Sequence, residues 1–273
     1  MIATEWNRDT TEAAENLIHR IPDHVPKKVQ FKDFEKLPEA VARYLRFALT
    51  EGQPLIDAVR LTQSGHFLAA LWSPFRAEQY FSIDPPAFVW DASIRVAGVI
   101  PVKVRDAYRE GKGSMLAKMF GVFRLLNQQN AVEINIAALQ RYLAESAWFP
   151  TALLPGNQLV WSELDTNRSL AKLTDGPLQV SLEFEFNELG EIVSVFTPDR
   201  YRYADGEFVQ TAWAGYFRNY KEVHGMRIPM EAEVEWIFPQ GRPFSYFKGN
   251  ITKIEFNTDV FSRFTPACDC EVG

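Results

Sequence analysis

The stretch Arg141-Tyr142-Leu143-Ala144-Glu145-Ser146-Ala147-Trp148-Phe149-Pro150-Thr151-Ala152-Leu153-Leu154-Pro155 decides the fold. Its first half has helical spacing, and its two prolines stop the helix and turn an apolar segment back on itself. Asn135 is placed as the N-cap, which predicts a central helix over residues 135–148. Ile136, Leu139, Leu143 and Ala147 then share one face. Arg141, Glu145 and Trp148 share the other, at i, i+4 and i+7. A Trp beside an ion pair on a face expected to be wet implies that both faces of this helix are covered.

On either side the hydrophobic period changes from 3.6 to 2. Phe88, Trp90, Ala92, Ile94 and Val96 alternate with more polar positions, and Leu178, Val180, Leu182, Phe184 and Phe186 alternate with Gln179, Ser181, Glu183, Glu185 and Asn187. Asn187 to Gly190 reads as a turn, with residues 192–196 returning as the hairpin partner. Ala232, Val234 and Trp236 repeat the pattern. Nine to eleven strands with short turns predict an antiparallel meander rather than parallel βαβ units. A sheet that long curls or closes, and its polar alternate positions put one face in water. The expected class is α+β, mainly β: a large curved antiparallel sheet, a half-barrel, with helices on its concave side. The 273 residues read as a single domain. Residues 1–54 form an N-terminal helical arm with helices near 9–20 and 38–49, residues 55–257 the sheet with its central helix, and 258–273 a tail.

Composition excludes several functions. The chain carries a net charge of −6, and no Lys/Arg run exceeds two residues, so no broad footprint for nucleic acid is present, and an anionic membrane is repelled on average. No window is apolar enough for a transmembrane helix, and residues 1–20 lack the apolar core of a leader, so a soluble, cytoplasmic chain is expected. The two cysteines, Cys268 and Cys270, read as thiols in a tail, not as a disulfide framework. His19, His24, His66 and His224 lack metal-ligand spacing, and no metal and no cofactor are expected. No nucleophile elbow, Walker loop or dinucleotide fingerprint occurs. Gly111-Lys112-Gly113-Ser114 reads as a hairpin turn rather than a phosphate loop.

Two groups of residues remain as candidates. Aromatics make up 14% of the chain, with 21 Phe and 7 Trp, which fits either a sheet core or an aromatic-lined cavity. Trp90, Trp148 and Trp161, with Arg141 and Glu145 as polar anchors, are the candidate ligand-binding residues. The alternative for Arg141 and Glu145 is a structural ion pair. Asp91, Asp106, Glu145 and Asp165 are carboxylates that would allow general acid–base chemistry if two of them stood roughly 5–10 Å apart.

Phe88-Val89-Trp90-Asp91-Ala92, Arg141-Tyr142-Leu143-Ala144-Glu145, the run from Trp148 to Pro155, and Gly225-Met226-Arg227-Ile228-Pro229 resemble an uncharacterised bacterial domain family over roughly residues 35–257. The order of strands and helices is similar to the lipoprotein-carrier (LolA/LolB-like) fold. That resemblance implies an apolar concave face able to accept acyl chains. The chain departs from true carriers in lacking a secretion signal and a lipobox cysteine. Three readings follow. The first is non-enzymatic binding of a lipid-like or other apolar small molecule in the concave face. The second is an enzyme acting on a small hydrophobic substrate through Arg141 and Glu145. The third is a protein-interaction module.

Overall fold

In a computed structural model of the chain, residues 2–18, 27–156, 158–239, 241–257 and 260 are described. Cys268, Cys270, His19 and His24 lie outside them. Among the described residues, three α-helices and thirteen strands form the fold: α1 (Ile2–Ile18), α2 (Glu39–Ala48), β1 (Ala58–Leu68), β2 (Trp72–Ser82), β3 (Ala87–Val96), β4 (Ile100–Arg109), β5 (Lys112–Met119), β6 (Phe123–Gln129), α3 (Val132–Glu145), β7 (Leu159–Glu163), β8 (Arg168–Asp175), β9 (Leu178–Phe186), β10 (Ile192–Ala204), β11 (Glu207–Val223), β12 (Met226–Ile237) and β13 (Pro243–Phe256). The count exceeds the nine to eleven expected. Short edge strands such as β6 have almost no buried side chain, so they leave no alternation to read.

All strands lie in one antiparallel sheet of order β6-β5-β4-β3-β2-β1-β13-β12-β11-β10-β9-β8-β7. Its edges, β6 and β7, do not pair, so the sheet is open. The first strand pairs with the last, and this seam depends on glycine. Gly65 lies opposite Gly249, and a Cβ on Gly65 would sit 1.9 Å from the carbonyl oxygen of Lys248. The sheet forms because alternation matches burial: in β9, Val180, Leu182, Phe184 and Phe186 are buried while their neighbours face out.

The helix α3 runs from one edge strand to the other and packs on β4 and β5 of one arm and β9 and β10 of the other. The sheet is therefore curved around it. Both faces of α3 are buried, which is why Arg141, Glu145 and Trp148 are covered. Its boundaries correct the expected 135–148. The N-cap position is Ala131, and residues 146–148 tighten into a 3-10 turn. Asn135 does not cap; its Oδ1 accepts a hydrogen bond from the Gly113 amide. That contact is close because Gly113 has no side chain: a Cβ there would meet the Ile134 carbonyl oxygen at 2.4 Å.

The N-terminal arm divides between two places. Helix α2 packs against β8, β9 and β12 and joins the main core through Val41, Tyr44 and Leu45. Helix α1 lies against β2 and β3 on the opposite, convex face. It is held by Asp91, whose Oδ2 accepts from Trp6 Nε1 and Thr10 Oγ1. Helices α2 and α3 occupy the concave side, as expected, and α1 of the N-terminal arm lies on the convex one. Asp91 faces outward because it is out of phase with Trp90.

Candidate functional site

The side chains of α3 meet the concave face of the sheet at a buried polar cluster. Arg141 Nη1 donates to Asp106 Oδ2 at 2.6 Å, and Arg141 Nε donates to Glu145 Oε1 at 2.8 Å. Gln79 Nε2 donates to Glu145 Oε2 at 2.7 Å. The guanidinium carbon stands 4.9 Å from the Trp90 ring centre and 5.1 Å from that of Phe88. Trp90 Nε1 in turn donates to Gln63 Oε1. The planar cation is thus held by two carboxylates at its edge and two rings at its face.

A second cation closes the cluster from the other arm. Arg200 Nη1 donates to the Ala137 carbonyl of α3, and its guanidinium lies 5.0 Å from the Trp213 ring. A bulge between Thr197 and Arg200 aims it inward. Trp213 Nε1 donates to Tyr246 Oη at 2.9 Å, and Tyr246 stacks on Trp236 with an interplanar angle of 16°. Phe67 packs edge-on against Tyr246. Phe67, Trp236, Tyr246 and Phe247 are half-buried and pack against the edge of the main core.

Electrostatics follow from burial. Desolvation lifts the Glu145 carboxyl above its ordinary value, and the Arg141 charge offsets only part of this. Desolvation also opposes the charge on Arg141, but Glu145 and Asp106 together hold its pKa above the usual value. Burial lowers Arg200 and raises Tyr246. Several buried polar atoms around α3 have no hydrogen-bond partner: Asp106 Oδ1, Gln79 Oε1, Gln140 Oε1, Arg200 Nε and Trp148 Nε1. Buried polar atoms are ordinarily satisfied, so such a group of them calls for a water or a ligand atom.

The structure brings three of the five candidate residues together: Trp90, Arg141 and Glu145. Trp148 is buried edge-on against Phe217. Trp161 stands in a separate aromatic group with Phe184 and Phe186, its Nε1 bonded to the Leu153 carbonyl. Of the four carboxylates, only Asp106 and Glu145 converge. Asp91 faces the convex side, and Asp165 sits in an exposed turn with Arg168. His224, in the β11–β12 turn, stands edge-on to Phe256. Among the described residues no group of three His, Cys, Asp or Glu is placed to hold a metal ion.

The sequence pattern singles out Trp236 as an inward position but not Gln79, Gln63, Arg200, Phe67, Tyr246 or Phe247 as parts of a site. A signal existed for Gln79, which occupies the apolar phase of β2 between Phe75, Ala77 and Phe81. Asp106 sits likewise among Val102, Val104 and Tyr108. A polar residue in the buried phase of a strand marks a built polar site. Arg200 gave no such signal, because the bulge breaks the alternation just before it.

The geometry defines a class: an open, curved antiparallel sheet folded round a helix, with a buried polar cluster beside a group of half-buried aromatic side chains. By sequence the chain belongs to the family of unknown function DUF6920, whose profile matches residues 35–256. No curated protein matches it. Four chains of solved structures are similar to it, among them the following two. One, a domain from Vibrio parahaemolyticus named for outer membrane lipoprotein sorting, is 11% identical with a TM-score of 0.41, over 82% of this chain and 94% of that one. The other, a LolA superfamily protein from Nitrosomonas europaea, is 10% identical with a TM-score of 0.42, over 83% of this chain and 96% of that one.

Proposed function

We propose that the protein binds, without chemical conversion, a lipid-like or other apolar molecule with one polar end, in a bay between α3 and the sheet. The observation that carries this reading is the junction of two surfaces. The half-buried wall of Phe67, Trp236, Tyr246 and Phe247 ends on a cluster that holds unpartnered polar atoms on Asp106, Gln79 and Arg200. An apolar chain satisfies the wall, and a polar end satisfies the cluster. Trp90, Arg141 and Glu145 form the floor, while Trp148 and Trp161 stand apart from it in the core.

An enzymatic reading has behind it the raised Glu145 carboxyl and the convergence of Asp106 and Glu145 on Arg141. Both Glu145 oxygens are already engaged, by Arg141 and Gln79, which suits a fixed counter-ion better than a proton carrier. Native mass spectrometry of gently purified protein tests the binding reading, with denaturing extraction to identify any bound mass. A discrete lipid-like adduct, displaced in a Phe247→Glu variant, is expected. A clean apo mass that stays clean after incubation with a fatty acid and with a phospholipid would refute it.

A further inference from the structure

Three hairpin turns, β1–β2, β3–β4 and β5–β6, fall side by side at one end of the sheet. Each is two strands from the next, so neighbouring tips stand about 10 Å apart. These tips carry large exposed apolar side chains: Leu71 and Trp72, then Val99, then Phe120, Val122 and Phe123. Val99 is 77% exposed and Phe123 62%. Phe120 also has a positive φ of 53°, a conformation in which Asn or Gly is the ordinary choice and a bulky side chain is strained. Strain that displays a phenyl ring to solvent asks for a function.

The strand segments that carry these tips hold charge of one sign. The eleven-residue segments 66–76, 93–103 and 116–126 contain Arg76, Arg95, Lys103, Lys118 and Arg124 and no Asp or Glu, in a chain with 35 acidic residues. Register aligns them across the convex face: Arg76 lies opposite Ser93, Ser93 opposite Lys103, Lys103 opposite Lys118, and Lys118 opposite Arg124. Directly opposed like charges weaken a sheet, and none of the five has a carboxylate at ion-pair distance among the described residues. Below the tips, a groove of about 690 Å³ between α1 and the sheet is lined by Thr10, Thr62, Ser64 and Ser93 with Arg76 and Lys103. Its two acids are already paired, Glu78 with Arg60 and Asp91 with Arg105.

We infer that this end of the sheet docks onto the surface of an anionic phospholipid bilayer, with the three tips inserted and the basic row at the headgroups. The dimensions agree. Arg76 is four residues from Trp72, about 13 Å along the strand, and peripheral elements insert about 5–10 Å. The net charge of −6 conceals this because the three tip segments themselves hold no acidic residue. The inference stands on surfaces separate from the aromatic bay and does not depend on it.

Flotation of the full chain with vesicles tests it, using phosphatidylcholine alone and phosphatidylcholine with 30% phosphatidylglycerol, about that fraction being enough to give a negative surface. Binding to the anionic vesicles with a blue shift of Trp emission is expected, weakened by raised salt and unaffected by millimolar inorganic phosphate. Lys103→Gln with Arg124→Gln is expected to weaken it roughly 25-fold, about fivefold per charge. A tip variant, Trp72→Ser with Val99→Ser and Phe123→Ser, alters only exposed positions and is expected to abolish it. Absence of binding to anionic vesicles, equal binding to neutral ones, competition by free phosphate, or full binding by either variant would overturn the inference. Far-UV circular dichroism of each variant separates loss of binding from loss of fold.

Discussion

Replacing Arg141 by Met removes the charge that two buried carboxylates share and keeps most of the stem. The side chains of Arg141, Asp106 and Glu145 are 17%, 5% and 13% exposed, so the carboxylates cannot recover solvation without opening the core. Breaking a buried pair in this way costs about 3–5 kcal/mol. For a chain of this size that lowers Tm by roughly 6–20 °C. The loss depends on pH with a definite sign. Burial sets the folded Glu145 carboxyl above its unfolded value, so its contribution to stability is most favourable below the unfolded pKa and declines as pH rises through the folded one. Without Arg141 that upward shift grows. Urea unfolding of Arg141→Met should therefore show a larger loss at about pH 8 than at about pH 5. Adding Asp106→Asn and Glu145→Gln should recover most of it, because no uncompensated charge then remains. Arg168→Met breaks an exposed pair with Asp165 and should leave the midpoint where it was. A loss below about 1 kcal/mol, the scale of an exposed pair, or one equal at both pH values, would refute the view of this cluster as a buried counter-ion site.

Other outcomes follow from single contacts. Gly113→Ala pushes a methyl into the Ile134 carbonyl and the Ala138 side chain, and should cost about 1–3 kcal/mol by calorimetry as α3 is forced off β5. Tyr44→Phe removes a buried hydroxyl that has no partner and should be neutral or raise stability by up to about 1 kcal/mol. Asp91→Ala removes the acceptor for Trp6 and Thr10, so limited proteolysis should release α1 early while the sheet stays resistant. Phe120→Asn relieves a left-handed position and should raise stability by about 1 kcal/mol.

The parts of the fold legible in the sequence are those where period and burial agree. Strand β9 alternates without interruption, and its phase predicts each buried side chain. The apolar stripe Ile136, Leu139 and Leu143 makes the helix legible, and the Trp on its polar side implies the cover found on both faces. The start of α3 was misplaced because Asn135, a good cap by residue type, has a tertiary partner instead at Gly113. The side of the sheet taken by α1 was not legible. Its apolar stripe states that one face is buried, and only the outward Asp91 and Arg105 determine where. The same limit applies to the site. Arg141 and Glu145 are linked by i, i+4 spacing, whereas Asp106, Gln79 and Arg200 reach them through strand order and a bulge that local pattern does not encode.

The central claim, that the bay beside α3 takes an apolar chain, is tested most directly by titrating a fluorescent fatty acid into the wild-type protein, Phe247→Glu and Trp161→Phe. The account predicts saturable one-to-one binding by the wild type and by Trp161→Phe, whose site stands apart in the core, and loss of binding by folded Phe247→Glu. Equal binding by all three proteins, or none by the wild type, would contradict it.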